Sequence, residues 1–484
     1  MRQLGKTLTT AIFIFVALFS FGAVLACAQD QQSEETSKPK PAARAYPTGG
    51  YTDQDPSGDQ DLTPPLRPDT QPLTGVQNPT LGSPETRHSY WVPGFQYGNF
   101  VRSGALNQPT SSGWNTTSYV AGNLSLLEAW NRSQLSVNYS GGGSFSTDES
   151  QGNDYYHQLG LVQAFDWKRW QLSFLDQFSY LPQTQFGFGA ATNLATPGVG
   201  GPLRPSLPGL QTNYQPNQSV FTSFGPRYSN SITTQVVYAV SPRVSVTLSG
   251  SYGVLRFVQA GNIDTNDSIF STGYNYALSQ KDTIGALYRF SGYRYIGDPQ
   301  AINDHVAQLA YGRKVTGRLA LQLFGGPEVT TFRVPIGGST NKISGSGGGN
   351  LTYVLSRSSL SLTYNHGISG GSGQFTGSSM DQLQSMISHQ LSRVWQGNVT
   401  FGFARNTSLG LSLPAQVSQT YDSWFIGGGL SRPLGRTANF TCGYTAYLQN
   451  SHLPVCAAGT CGTSYIQHQI SLGFQWRTRP LVLR

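Results

Sequence analysis

The sequence predicts an all-β protein, a single-chain antiparallel transmembrane β-barrel of about 18 strands that follows a disordered leader. Three observations predict this class. Apolar and polar residues alternate with a period of two from about Ser89 onward, which is typical of strands with two different faces. The polar positions carry hydroxyl and amide side chains and glycine, with few charges. Short turns recur at regular spacing between these strands.

The composition is unlike that of an ordinary soluble protein. Of the 484 residues, 38% are hydrophobic and only 11% are charged, yet the mean hydropathy is −0.28. Soluble domains average about 25% charged residues because water wets their whole surface. A chain that encloses its polar face needs fewer charges. The 57 Gly and 25 Tyr fit many strands joined by tight turns.

Residues 1–28 read as a secretory signal peptide. A basic start, "MRQLGK", precedes a short apolar run, and "ACA" at positions 26–28 is a small-x-small cleavage site. The run is short for a membrane helix of roughly 20 residues. Cleavage after Ala28 removes Cys27. A lipoprotein that keeps Cys27 as its acylated first residue is the alternative, which Leu25 disfavours.

Residues 29–88 are predicted to be a disordered periplasmic linker. They are rich in Pro, Asp, Gln, Ser and Thr and contain hardly a large apolar residue. Such a segment cannot bury enough surface to offset the entropy lost on ordering. The sequence indicates a spacer, and no motif supports a partner-binding role.

Residues 89–484 are predicted to form the barrel. Near the C-terminus, one face is aliphatic and aromatic and the other carries amides and a hydroxyl: Ile470, Leu472, Phe474 and Trp476 alternate with Gln469, Ser471 and Gln475. The water-facing side of a soluble sandwich normally carries Lys and Glu instead. An uncharged polar face suits a water-filled lumen, with the apolar face toward lipid. Closure of the sheet leaves no backbone edge unpaired in the membrane.

The strand number follows from eight predicted short-turned hairpins. Their turns are Asn131-Arg132, Lys168-Arg169, Ser241-Pro242-Arg243, Gln280-Lys281, Lys314 to Gly317, Ser356-Arg357, Ser392-Arg393 and Ser431 to Pro433. A first strand at Ser89 to Val101 and a final one at Tyr465 to Trp476 bring the total to 18, with 16 as the fallback. Pro93 weakens the first of these two strands. The other connections are predicted to be longer, such as Gly141 to Asn153, Phe332 to Gly349 and Asn450 to Thr463.

The stretch 181–227 is the longest predicted loop. It contains "GFGAATNLATPGVGGPLRPSLPGL". A long loop of this kind either folds into a barrel and narrows it or covers it from outside. The sequence leaves both interpretations open.

The net charge of +8 does not by itself indicate an anion or nucleic-acid partner. Many basic residues lie in the predicted short turns and in the tail "RTRPLVLR". We interpret them as a rim that meets lipid head groups. No combination of basic and aromatic residues resembles a nucleic-acid-binding module.

Three residues are candidates for a role in the lumen. Arg289 and Tyr293 share the inward parity of their strand, and Glu328 follows Gln322 and Gly326 inward. Arg289 and Glu328 either tune ion selectivity or form a structural ion pair across the wall. Tyr293 and Arg289 are also candidates for contacts with sugar units.

The cysteines and histidines indicate no metal, cofactor or catalytic site. Cys456 and Cys461 lie in a predicted exposed loop, where a disulfide is expected in an oxidising compartment. Metal binding with His452 is the weaker alternative. Cys442 is predicted to face lipid as a free thiol. The seven His residues are scattered without a catalytic motif, so we do not expect an enzyme.

The chain resembles the outer-membrane β-barrel proteins of Gram-negative bacteria. More loosely, it is similar to β-barrel porins of the exopolysaccharide-export (alginate-exporter) type. The features that carry this resemblance are the signal peptide, the leader, the hairpin series from Ser89 to Trp476 and the final strand "ISLGFQW". The resemblance implies assembly by the barrel-assembly machinery, with an aromatic signal at Phe474 or Trp476. It departs from the usual pattern because further residues follow Trp476.

Two functions are compatible with these features. The first is a passive channel in the cell outer membrane for small hydrophilic solutes or for an exported polysaccharide. The second is a non-conducting surface scaffold whose loops bind a partner. Both imply contact with outer-membrane lipids.

Overall fold

The computed structural model describes residues 89–103, 114–147, 153–181, 226–258, 262–334, 338–371, 373, 376–409, 420–451 and 465–483. The predicted signal peptide and linker, most of the stretch 181–227, and Cys456 and Cys461 lie outside the described residues. No helix in the described ranges is long and apolar enough to cross a membrane.

The described chain is built from eighteen long strands and one short one. The strands are β1 (Ser89–Ser103), β2 (Trp114–Ala129), β3 (Ser133–Ser146), β4 (Asp154–Asp166), β5 (Trp170–Leu181), β6 (Arg227–Ser241), β7 (Val244–Phe257), β8 (Thr265–Ala277), β9 (Asp282–Tyr295), β10 (Ala301–Lys314), β11 (Leu319–Val334), β12 (Gly338–Val354), β13 (Ser358–Gly371), β14 (Thr376–Gln390), β15 (Gln396–Ser408), β16 (Thr420–Leu434), β17 (Ala438–Ser451), β18 (Tyr465–Arg477) and β19 (Leu481–Leu483). The predicted first and final strands are confirmed.

The sheet closes on itself. Each long strand pairs antiparallel with its sequence neighbours, and β1 pairs with both β2 and β18. Gly94 opposes Arg477 at this seam. The chain is therefore a closed antiparallel barrel of 18 long strands, as the sequence predicted. The tail adds an unpredicted strand, since β19 extends the seam by pairing Leu481 with Trp91.

The two faces of each strand are chemically different, as the alternation predicted. On β7, Leu248 and Tyr252 point outward and are 45% and 47% exposed, whereas Thr247 and Ser249 point inward and are 1% and 7% exposed. The same division holds on β18, where Phe474 and Trp476 lie on the outer face and Gln469 is buried inside. The outer face is therefore apolar and aromatic, and the inner face is mainly hydroxyl and amide.

One predicted turn lies at the wrong position. The sequence placed a turn at Ser431 to Pro433, but β16 continues to Leu434 and Pro433 opposes Asn439 on β17. The turn is formed instead by residues 435–437, where Gly435 has a φ of 82°. Glycine adopts this left-handed conformation without a steric penalty. Proline signalled a turn, but it is tolerated near the end of a strand.

Two predicted long connections are shorter in the structure. Phe332 to Gly349 was predicted to be a loop, but most of it lies in β11 and β12, which pair along their length. Glycine and serine suggested a loop, yet here glycine permits close strand packing. A Cβ on Gly347 would lie 2.9 Å from the carbonyl oxygen of Phe324. The predicted loop Gly141 to Asn153 likewise begins later, because β3 continues to Ser146.

The wall of the barrel divides between β12 and β13. Their pairing ends at Gly347 and His366, although β13 continues to Gly371. Beyond His366, β13 pairs only with β14. Odd-numbered long strands run from the short-turn end of the barrel to the other end, which we call the distal end. The division therefore opens at the distal end.

Candidate functional site

The hairpin of β13 and β14 turns into the interior at the distal end. The amide of Ile263, just before β8, donates a hydrogen bond of 2.8 Å to the carbonyl oxygen of Gly373. Thr376 Oγ1 donates to Gln300 Oε1 at 2.7 Å, just before β10. Four strands separate β8 from β13 in the sheet order, yet their Cα atoms approach within 8 Å. We call the described residues of this segment, 367–371, 373, 376 and 377, the inward hairpin.

A buried hydrophobic layer anchors the inward hairpin to the inner face of β9, β10 and β11. Its members are Tyr293, Tyr295, Ile302, Phe332, Ile368 and Leu409. Tyr293 Oη donates a hydrogen bond of 3.3 Å to the carbonyl oxygen of Ile368. A Cβ on Gly370 would lie only 2.7 Å from the Tyr293 ring. The close approach therefore depends on glycine at position 370.

Glycines also set the backbone path of the inward hairpin. Gly373 has a φ of 87° and Gly377 has a φ of 71°. L-residues with side chains rarely adopt these values. The stretch "GISGGSGQFTG" is thus suited to a sharp inward bend. The glycine content of this stretch is the sequence signal for a bend. The alternation of apolar and polar residues did not indicate that the bend points into the barrel.

A cluster of charged side chains lies on the inner face of β9, β10 and β11. Arg289 Nη2 is 3.4 Å from Asp304 Oδ2 and 3.9 Å from Glu328 Oε1. The three side chains are 7%, 0% and 1% exposed. We call these three residues the charge cluster. Breaking such a buried pair is costly because it leaves an uncompensated charge in the interior.

Neighbouring hydroxyls hold the two carboxylates in place. Thr330 Oγ1 donates a hydrogen bond of 3.1 Å to Asp304 Oδ1. Ser344 Oγ on β12 donates one of 3.1 Å to Glu328 Oε2. The charge cluster and the two hydroxyls that bind its carboxylates thus span four adjacent strands, β9 to β12.

A second hydrogen-bond chain connects this region to the point where β13 leaves the wall. Gln308 Nε2 donates to Ser346 Oγ at 3.1 Å, and Ser346 Oγ donates to the carbonyl oxygen of His366 at 3.2 Å. His366 is the last residue of β13 that pairs with β12. The base of the inward hairpin is therefore tied to the inner wall of β10 and β12.

The structure places Arg289, Tyr293 and Glu328 on the inner face and brings them into one region. Arg289 and Glu328 lie in the same ion-pair cluster, which was one of the two interpretations. Tyr293 packs against the inward hairpin. Their roles in selectivity or sugar binding stay predictions.

Sequence reasoning missed Asp304. Its neighbours on the inner face of β10 are Ile302 and Val306, whereas His305 lies outside. The inner face of β10 is thus more apolar than the inner faces of the other strands described above. The sequence therefore did not show which residues of β10 point inward. Knowing the register with Arg289 on β9 would have identified the acid.

Other inner-face side chains also pack together at the distal end. Phe100 and Tyr119 form an edge-to-face pair with ring centroids 5.2 Å apart, and Gln96 Nε2 donates to Tyr156 Oη at 2.9 Å. A further buried cluster comprises Met380, Ala404, Phe425 and Tyr447. Several walls of the barrel therefore contribute bulk to the distal interior.

The outer face carries the remaining residue of interest. Cys442 is a half-buried free thiol, opposite the exposed Leu430 and Leu472 on neighbouring strands. This is the outward placement that its parity predicted. Among the described residues, no group of three or more His, Cys, Asp or Glu is arranged to hold a metal ion.

Comparisons with known proteins identify no family for this chain. No family model matches the sequence, and no curated protein matches it. Among solved structures, the outer membrane protein OpdK from Pseudomonas aeruginosa is 10% identical, covers 81% of this chain and 99% of its own, and has a TM-score of 0.43. OccAB3 of Acinetobacter baumannii is 11% identical over 81% and 99% of the two chains, with a TM-score of 0.42. OpdQ of Pseudomonas aeruginosa is 9% identical over the same shares, with a TM-score of 0.41. At such values, the function has to be inferred from the barrel itself.

Proposed function

We propose that this chain is an outer-membrane channel through which small hydrophilic solutes cross by passive diffusion. The observation that carries the proposal is the closure of the sheet, with hydroxyl and amide side chains inside and aliphatic and aromatic side chains outside. Only closed barrels satisfy all backbone hydrogen bonds when strands cross a membrane. A polar interior gives water and dissolved solutes a path that lipid does not.

The outer face supports contact with outer-membrane lipids. On β16, Trp424, Ile426 and Leu430 are all more than a third exposed and would need burial in hydrocarbon. Arg405 Nε lies 2.7 Å from Asp422 Oδ1, and this ion pair is closer to the distal end than Trp424 is. An apolar belt bounded by aromatic and charged residues is typical of outer-membrane barrels. For such a barrel, assembly by the barrel-assembly machinery through Phe474 or Trp476 is part of the proposal.

The inward hairpin favours small solutes over an extended polysaccharide. It extends from β13 to β8 and β9 inside the barrel and so occupies part of the interior, which leaves less width for an extended polymer. Arg289 and Glu328 lie beside this obstruction, where charge would act on a passing solute. We therefore place export of a polysaccharide second among the transport functions.

Conductance in planar bilayers tests the channel directly. The mature chain, purified as a folded barrel, should give stable open steps in potassium chloride. Proteoliposomes should admit monosaccharides faster than trisaccharides because the inward hairpin narrows the path. A folded barrel that shows neither current steps nor sugar flux would overturn the proposal.

A non-conducting scaffold is the second candidate, and the packing at the distal end favours it. The inward hairpin and the buried aromatic clusters fill part of the bore. If they seal it, the same bilayer experiment gives no steps although the protein inserts. Opening of the pore by a substitution in the inward hairpin would then show that the seal is the cause.

A further inference from the structure

We propose that the outer face of β7 to β11, at the distal end, is a binding site for a lipid whose head group carries a phosphate. The site is a row of three guanidinium groups, those of Arg256, Arg294 and Arg333, which we call the arginine row. The inference rests on the membrane location proposed above and names the lipid class that this part of the wall prefers. It does not depend on the bore of the barrel.

Arg256 and Arg294 are held against the outer wall by the same set of contacts. Each donates from Nη1 to the carbonyl oxygen of the residue before it, and to a carbonyl oxygen on the next strand at 3.0 or 3.1 Å. Each also donates from Nη2 to an asparagine Oδ1 on that strand, at 2.6 Å for Asn266 and 2.8 Å for Asn303. Both guanidinium groups are therefore already oriented, so binding of an anion would cost little side-chain entropy.

The register of the sheet brings the three arginines into one row. Asn266, which binds Arg256, lies directly opposite Arg294. Arg294 and Arg333 both oppose Ala301, so their Cα atoms are two strands apart, about 10 Å. The contacts of Arg294 with β10 lean its guanidinium toward β11, which brings its charge closer to Arg333. Three positive charges are therefore concentrated on one patch of the outer face.

The arginine row keeps donors for a phosphate. A guanidinium has five N–H donors, and the bonds above use three of those on Arg294. The other two meet no acceptor among the described residues. Arg333 is exposed and makes no hydrogen bond or ion pair within the described ranges. Because the planar guanidinium fork matches the spacing of phosphate oxygens, these donors suit a phosphate well.

Two carboxylates near the row do not cancel its charge. Asp264 Oδ2 is 4.0 Å from Arg256 Nε, and Asp264 Oδ1 accepts a hydrogen bond from the amide of Phe257. Asp298, which follows β9, accepts a hydrogen bond from the amide of Gln300 and forms no ion pair with a described residue. Three guanidinium groups beside two carboxylates leave a net positive charge.

A different arrangement occurs on β15 and β16. Arg405 also lies on the outer face near the distal end, but it donates two hydrogen bonds to Asp422, at 2.7 and 3.0 Å. Its charge is neutralised by its own partner. Arg405 is therefore a matched control for the arginines of the row.

An apolar surface adjoins the arginine row on the side away from the distal end. Phe270, Tyr288 and Val329 lie there on the outer faces of β8, β9 and β11, and all are more than a third exposed. Such side chains contact acyl chains in outer-membrane barrels. A phosphate joined to acyl chains would contact both surfaces at once, whereas a free phosphate would contact only the row. This continuity favours a lipid over a soluble anion.

The experiment titrates dioleoylphosphatidic acid into the full mature chain in detergent micelles and measures the lipid-bound fraction by native mass spectrometry. Dioleoylphosphatidylcholine, which has the same acyl chains and no net charge, and inorganic phosphate are the controls. We expect phosphatidic acid to bind at least about tenfold more tightly than either control. Arg294→Gln and Arg333→Gln should each weaken its affinity at least about fivefold, because each removes a charged donor group. Arg405→Gln should change it by less than about twofold.

Asp264→Asn guards against loss of binding through misfolding. It removes a competing negative charge and keeps an oxygen that can accept from the amide of Phe257, so phosphatidic acid should bind more tightly. Misfolding cannot produce that result. Electrophoretic mobility without heating confirms that each variant is a folded barrel.

Four outcomes would overturn the inference: equal affinity for the two lipids, tighter binding of inorganic phosphate than of the lipid, equal losses in Arg294→Gln and Arg405→Gln, or weaker binding in Asp264→Asn. Mass spectrometry of lipid binding does not require an open pore. A barrel that prefers phosphatidic acid but does not conduct therefore refutes only the proposed channel. A conducting barrel without this preference refutes only the lipid site.

Discussion

Tyr293 on β9 donates a hydrogen bond to the carbonyl oxygen of Ile368 on β13, 3.3 Å away, although three strands separate β9 from β13 in the sheet. The contact passes through the interior. It fixes the inward hairpin to the inner face of β9 and buries Tyr293 to 6% exposure. Both the bore of the barrel and its stability should therefore depend on this side chain.

Two substitutions at Tyr293 should separate the contribution of its hydroxyl group from that of its ring. Tyr293→Phe removes only the hydrogen bond and should lower the free energy of unfolding by about 0.5–1.5 kcal/mol. Tyr293→Ala also removes the packing against Gly370 and should cost about 3–5 kcal/mol, as large-to-small changes in a core do. Denaturant titration of the reconstituted barrel measures both values. Single-channel conductance should rise clearly only in Tyr293→Ala, and equal conductance in all three proteins would contradict the role of the inward hairpin as an obstruction.

Gly377 should be sensitive to a single added methyl group. Its φ of 71° and the contact that a Cβ would make with Ile302 disfavour any other residue. Gly377→Ala should cost about 1–3 kcal/mol through backbone strain. It should also increase current noise, because the inward hairpin would no longer pack closely against Ile302. Gly250→Ala is the matched control, because nothing lies within 4 Å of a Cβ there, and its free energy of unfolding should stay within about 0.5 kcal/mol of the parent.

Removal of Arg289 should destabilise the barrel because it breaks a buried ion-pair cluster. Arg289→Gln leaves the carboxylates of Asp304 and Glu328 without their buried guanidinium, at a cost of about 3–5 kcal/mol. Glu128→Gln, which removes a carboxylate from the outer face of β2, is the control and should change the free energy of unfolding by less than about 0.5 kcal/mol. Denaturant titration of both variants measures the difference. Equal stability of the two variants would show that the charge cluster does not stabilise the barrel.

The final strand and the tail should contribute differently to assembly. Phe474→Ala with Trp476→Ala removes the exposed aromatic residues of β18 and should reduce the amount of folded barrel recovered from outer membranes. Deletion of residues 481–484 removes only β19, and the seam between β1 and β18 keeps its register from Gly94 to Arg102. The deletion should therefore assemble normally. A stronger defect in the deletion than in the aromatic variant would place the assembly signal in the tail.

The sequence predicted the wall of the barrel well because the wall depends on local patterns. Alternation placed Leu248 outside and Thr247 inside, and nearly every short turn was located from its own residues. The turn after β16 was misplaced because Pro433 resembles a turn residue and yet lies near the end of a strand. The predicted loop between Phe332 and Gly349 was wrong because glycine serves close packing of strands there as well as turns.

The candidate site was only partly predictable. Parity identified Arg289, Tyr293 and Glu328 as inner-face residues, since parity is a property of each strand alone. It did not identify Asp304, whose inner neighbours are apolar. The sequence also offered the stretch 181–227 as a loop that either narrows or covers the barrel, and most of it lies outside the described residues. The described obstruction is the inward hairpin.

The sequence by itself determined the fold class, the closed barrel of 18 long strands and the inward or outward direction of most side chains. It could do so because the alternation of apolar and polar residues is a local property of each strand. Only the tertiary structure decided that β13 leaves β12 at His366, that Tyr293 meets Ile368 and that Asp304 joins Arg289 and Glu328. These contacts link strands distant in the sheet order or depend on register. Distance and register arise from closure of the whole sheet, and no local pattern encodes them.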